Sequence, residues 1–244
     1  MPRAIDKRAA VDLIGWMLRR DYFLRIVEKF AQMLAQIRER IDARQFAEAG
    51  AELDRAFLEL AGAGPEAVSR MSETELFARL TVNAPTNVVR DKARMLVALL
   101  QEAGRLRTVD GREEQGRACL VKALNLLLTL QLQDADFEAP QFVPTIDGLR
   151  EQLGDAPLPL PTLAALWRHY ERIGAYAWAE DAVFSLLETE PGNEALLAEA
   201  RAFYERLLRQ SDAALQAGNL PREEVKAGLA EVREWKKIEE RGWQ

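Results

Sequence analysis

The chain reads as all-α, and three observations say so. Leu outnumbers Val and Ile together, 35 against 21, and unbranched side chains lose the least rotamer freedom on a helix. Apolar residues recur at three-to-four spacing along most of the sequence, which is the period of an amphipathic helix and not of a strand. Gly and Pro gather in short clusters between those stretches, where they end helices and set turns. The expected architecture is a series of antiparallel helical hairpins.

The first apolar run holds Ile5, Ala9, Leu13, Trp16 and Met17, and the second runs from Phe23 through Phe30 and Leu34 to Ile41. Two helices are expected, with Asp21 capping the second and Arg19 and Arg20 closing the first against its dipole. A turn at Asp42–Gln45 then leads into "FAEAGAELDRAFLELAGAG", where Phe46, Ala49, Leu53, Ala56, Phe57 and Leu60 share one face until Gly-Ala-Gly-Pro breaks it. Ser72 followed by Glu75 is a capping box opening a short helix that stops before Pro85.

From Thr86 to Ala139 there is no proline, and "TVDG" divides the stretch into helices of about 88–106 and 112–132. The second, "ACLVKALNLLLTLQLQ", is apolar nearly all round, which places it centrally. Half of the ten prolines fall between Pro140 and Pro161, so an irregular connection is expected there, interrupted by one short helix near 146–153. Helices of about 162–173, 176–189, 193–216 and 222–240 follow, with Gly174 and Gly218 at the turns and Pro221 at a first helical position. The resulting division is 1–135 as N-terminal hairpins, 136–161 as a proline-rich connection and 162–244 as C-terminal hairpins, in two domains or one continuous solenoid.

Composition removes several function classes. A net charge of −6 argues against nucleic acid, whose phosphates need clustered Lys and Arg. Residues 1–44 hold ten Lys or Arg and six Asp or Glu, so this arm carries about +4 against about −10 for the rest. One cysteine makes no intrachain disulfide, the start lacks an uninterrupted apolar signal region, and no stretch approaches a membrane span. A cytoplasmic protein is expected.

Catalytic chemistry finds little to work with. Nucleophilic catalysis needs a base beside the nucleophile, and the chain has one histidine, His169, in "LWRHYERIG", and one cysteine, Cys119, in "ACLVKAL". Both read as packing residues, and zinc lacks ligands. Asp134, Asp136 and Glu138 cluster in "DADFE" without the ligand spacing and central Gly of a calcium loop. No phosphate-binding glycine loop is present. The expectation is a protein that is not an enzyme and carries no cofactor.

The stretch "YERIGAYAWAEDAVFSLLETEPGN" resembles a tetratricopeptide repeat, with Gly174, Tyr176, Ala179, Leu187 and Pro191 in the places of the turn glycine, the second-helix aromatic, the small crossing residue, the apolar position and the following proline. Ala49, Gly116 and Ala179 stand 67 and 63 residues apart, near two repeat lengths of about 34. A second resemblance is carried by "RRDYFLRIVEKFAQMLAQI" with "FAEAGAELDRAFLELAG", and by "NLPREEVKAGLAEVREW". These segments resemble the two ends of a bacterial domain-of-unknown-function family of all-helical proteins. That likeness implies a helical, repeat-like fold and brings no catalytic residues.

Resemblance to tetratricopeptide arrays implies an interaction module for an unknown protein or peptide, its groove lined by the first helices of each hairpin. Arg168, Glu171 and Arg172, with Glu205 and Arg206 on the next hairpin, are the candidate partner-binding residues. The alternative rests on the basic start, where Trp16, Phe23 and Phe30 lie near Arg19, Arg20 and Arg25. Such an element suits self-association, as in a homodimer through the N-terminal helices, or a membrane surface.

Overall fold

The computed structural model describes residues 7–81, 86–133 and 140–241, with side chains over 25–81, 88–132 and 140–235. Twelve helices and no strand occur among the described residues, so the all-α reading holds. The first four are α1 (Lys7–Asp42), α2 (Phe46–Ala61), α3 (Pro65–Arg70) and α4 (Glu73–Thr81). Next come α5 (Thr86–Val109), α6 (Glu113–Gln133), α7 (Ile146–Leu153) and α8 (Leu160–Ile173). The last are α9 (Tyr176–Thr189), α10 (Glu194–Leu207), α11 (Asp212–Ala217) and α12 (Arg222–Arg241).

Most helices begin and end where local chemistry directs. Glu75 N–H donates to Ser72 Oγ at 3.2 Å, one half of the expected capping box. The Asn193 carboxamide caps α10 by accepting from Leu196 N–H at 3.0 Å. After α8 the chain closes a Schellman turn: Gly174 N–H donates to Glu171 O and Ala175 N–H to Tyr170 O, with Gly174 at a φ of 77° that side chains disfavour.

Three local expectations change. The helix α1 runs unbroken through Asp21, because "RRDYF" contains neither Gly nor Pro to stop it. The helix α3 forms after the Gly-Ala-Gly run, with Pro65 at its first position. The stretch expected as one helix over 193–216 divides into α10 and α11. Ser211 caps α11 by accepting from Ala214 N–H at 3.2 Å, and Arg222 donates to the carbonyls of Leu208 and Gln210 at 2.9 and 2.6 Å. Those bonds satisfy carbonyls that the ended helix leaves open.

The chain forms two compact units, Met1–Ala123 with Glu138–Leu149, and Leu124–Phe137 with Arg150–Gln244. In the first, α2 lies along α5 while α1 packs on both, burying Leu34, Ile37, Leu53, Phe57, Leu96 and Leu99. Side chains of this size contribute roughly 1.5–3 kcal/mol each when withdrawn from water. Gly104 and Gly116 let α5 and α6 touch: a Cβ on Gly116 would stand 2.8 Å from the carbonyl of Gly104. The Glu102 carboxylate, almost wholly buried, accepts from Arg38 Nε at 2.6 Å, as a charge in the interior requires.

In the second unit α8 packs along α9, and α10 along both α9 and α12. Tyr170, Phe203 and Tyr204 are sealed within it, and the rings of Trp167 and Phe203 meet edge to face at 5.7 Å. On α6, Leu126, Leu127 and Leu128 are all buried; three successive residues point over an arc of about 200° around a helix, more than one face, so this helix is enclosed as its composition predicts.

Candidate functional site

Where α8 ends, its last turn, the start of α9 and the end of α10 surround a cleft of about 340 Å3 lined by Arg168, Glu171, Arg172, Tyr176, Arg206 and Gln210. Four of the five candidate partner-binding residues thus share one opening. The fifth, Glu205, is exposed on α10 and does not line the cleft.

Local rules set the arrangement. Arg168 and Arg172 are four apart, so they sit one turn above the other on the same face of α8. Tyr176 is buried at the start of α9, and its ring is backed by Gly218. A Cβ there would come within 2.3 Å of Tyr176 Cδ2 and 2.5 Å of the Gly174 carbonyl oxygen. Gly218 has a φ of −81°, so it is Gly for want of space and not for backbone freedom. The Ala177 N–H donates to the Gly218 carbonyl at 3.0 Å, tying the turn before α12 to the start of α9.

The charges do not cancel evenly. Arg206 donates from Nε to Glu171 Oε1 at 2.6 Å and from Nη2 to Oε2 at 2.9 Å, a bidentate contact of the strong, directional kind. That bond to Glu171 pushes the Arg206 guanidinium further above its ordinary pKa and commits the Glu171 carboxylate to it. Arg168 and Arg172 make no hydrogen bond or ion pair with the described residues and both are exposed. The cleft therefore offers two uncommitted guanidinium groups beside a fixed pair, a donor set whose planar geometry suits carboxylates.

The other sequence candidates fall elsewhere. His169 is buried, with its ring edge-to-face against Tyr170 at 5.4 Å. Cys119 is buried, and withdrawal from water raises its thiol pKa, which opposes thiolate formation. No group of His, Cys, Asp and Glu among the described residues has the geometry to hold a metal ion. The Asp134, Asp136 and Glu138 cluster lies outside the described residues, as do the side chains of Trp16, Arg19, Arg20 and Phe23. Phe30 is half-buried, its ring 5.1 Å from that of Phe142. Among the described residues no helix is long and apolar enough to cross a membrane. Gln210, at the rim of the cleft, was not a sequence candidate, since nothing local marks it; the break between α10 and α11 puts it there.

A family model matches residues 17–237, and the chain therefore belongs to that family, a family of unknown function (DUF6483). The match spans the proline-rich middle as well as the two ends. No curated protein and no solved structure matches the chain.

Proposed function

We propose that this member of a family of unknown function is a non-enzymatic protein–protein interaction or scaffold module, and that its Arg168–Arg172 cleft holds an acidic segment of a partner protein. The observation that carries the reading is the pair of uncommitted guanidinium groups one helical turn apart at the mouth of an open cleft. Planar guanidinium groups match carboxylates in two-point contacts. The neighbouring Arg206–Glu171 pair braces the rim, so little further ordering is needed on binding. The tetratricopeptide-like reading of the C-terminal hairpins belongs to this proposal. Its support is Gly174 in the left-handed turn, Tyr176 opening the next helix, and Ala179 and Leu187 fully buried behind it.

The test is an affinity pull-down from lysate of the source cell, with wild type beside the Arg168→Ala, Arg172→Ala double variant. Both positions are exposed, so the variant should melt within a degree or two of wild type. A partner enriched by wild type should drop at least tenfold with the variant, and an acidic stretch of that partner, made as a peptide, should bind with an affinity that falls as salt rises. Equal recovery by both proteins sinks the assignment of the cleft.

A further inference from the structure

We propose that the first compact unit carries a second and separate site, a pocket for a small organic carboxylate with an apolar body, centred on Arg107. This site shares no residue with the cleft at α8 and stands whether or not that cleft binds a protein.

Arg107 lies in the last turn of α5 and is only 8% exposed, yet no carboxylate pairs with it among the described residues. An arginine so withdrawn from water is ordinarily matched by an acid. Its Nη1 donates to the carbonyl of Ala103 at 3.3 Å and to Cys119 Sγ at 3.4 Å, one long bond and one weak acceptor. The carbonyl-rich end of α5 favours a cation, which explains why the charge is tolerated but not what its remaining N–H groups serve. The Nε and Nη2 groups, which form the other edge of the guanidinium, have no hydrogen-bond partner among the described residues. Nor are they sealed away as the buried and unpaired polar atoms of this chain are. That is the same edge with which Arg206 grips both oxygens of Glu171.

The guanidinium lines a cleft of about 670 Å3 between α2, α3 and the end of α5, within the usual range of about 300–1,000 Å3 for small-molecule pockets. Leu53, Leu58 and Leu106 give it apolar walls, and Leu58 is 57% exposed there, more open than a leucine in a packed helix face needs to be. The other arginines of the lining are already matched: Arg70 contacts Glu66 at 2.7 Å and Arg112 contacts Asp110 at 2.7 Å. Asp54 is the lining carboxylate that pairs with no arginine among the described residues. It disfavours a ligand of high negative charge and selects for one with a single carboxylate. The turn after α5 fixes the geometry, because Gly111 takes a φ of 78° and Arg112 N–H donates to the Arg107 carbonyl at 2.7 Å. The arginine is thus held by its own backbone while its free edge waits for two acceptor oxygens.

The experiment is calorimetric titration of the full chain with 3-phenylpropionate, its neutral amide, and inorganic phosphate at matched ionic strength. The acid should bind saturably below about 5 mM and at least tenfold more tightly than the amide, because charge-assisted hydrogen bonds are at stake. Arg107→Gln should reduce binding of the acid by about tenfold to a hundredfold. Since Arg107 is buried, Ala67→Trp serves as the second variant: Ala67 is exposed and lines the cleft, so the added indole blocks it without entering the core and should abolish binding in a protein that still folds. Acid and amide binding alike, phosphate binding alone, or acid binding unchanged in Ala67→Trp would each overturn the proposal.

Discussion

Arg206 and Arg107 put the same side chain to opposite uses. The first closes its two-point edge on Glu171 and becomes part of the frame, while the second keeps that edge open beside an apolar wall. Nothing in the local sequence separates them, since each sits in the last turn of a helix with acids nearby in the chain. Glu180 is a third residue whose state depends on its surroundings. Burial, which outweighs the hydrogen bond from Tyr204 at 2.7 Å, raises its carboxyl pKa above the ordinary 4.5, and Asp181, Glu224 and Glu231 add to the rise. The folded chain therefore holds this proton at a pH where the unfolded chain has released it, and stability falls as pH rises from 4.5 through the raised value. Glu180→Gln cannot titrate and still accepts from Tyr204. Relative to wild type it should gain stability as pH goes from 4 to 8, read as urea midpoints, and a difference that stays flat across that range would contradict the account.

Among the helices, the turns were the most legible features and the breaks the least. Gly174, Tyr176 and Ala179 announce the α8–α9 turn by residue type, as "DARQ" and "TVDG" announce theirs. The division of α10 from α11 is different, because "ERLLRQSDAALQ" keeps helical periodicity throughout. Arg222, ten residues and more away in sequence, supplies the donors that let the chain leave the helix at Leu208. The glycine at 218 reads as a second helix-ending glycine, yet its reason is the Tyr176 ring and the Gly174 carbonyl pressed against it. Gly218→Ala should accordingly destabilise by about 1–3 kcal/mol through overpacking, measured by urea denaturation. It should also widen the mouth of the α8 cleft, since ring and turn must shift together. A neutral outcome would mean that the turn yields freely.

Across the chain as a whole, the sulfur chemistry is simple and testable. Cys119 is the single cysteine and is buried against Arg107. Dithionitrobenzoate should label no thiol in the folded protein and one per chain in denaturant, and a reducing agent should leave the melting temperature unchanged. Prompt labelling without denaturant would show that the α5–α6 region opens readily. The net charge of −6 gives an acidic background against which the uncommitted Arg168 and Arg172 form a local exception, and on such a background the proposed binding of an acidic segment should weaken as salt rises.

Composition, periodicity and the placing of Gly and Pro were enough to establish the all-α class, the positions of most helices and the enclosure of α6, because each depends on residues close together in the chain. The nomination of Arg168, Glu171, Arg172, Glu205 and Arg206 came from the resemblance to tetratricopeptide arrays, and the fold gathers four of them at one cleft and leaves Glu205 outside it. Pairing is another matter. Which carboxylate meets which arginine, whether Glu102 finds Arg38 across 64 residues, and whether Arg107 finds any acid at all are settled by the packing of distant segments. Burial turns those pairings into large energetic differences, since an ion that costs little in water must be matched inside. The two clefts arise at that level, where helix ends distant in sequence meet around side chains whose partners the linear order does not reveal.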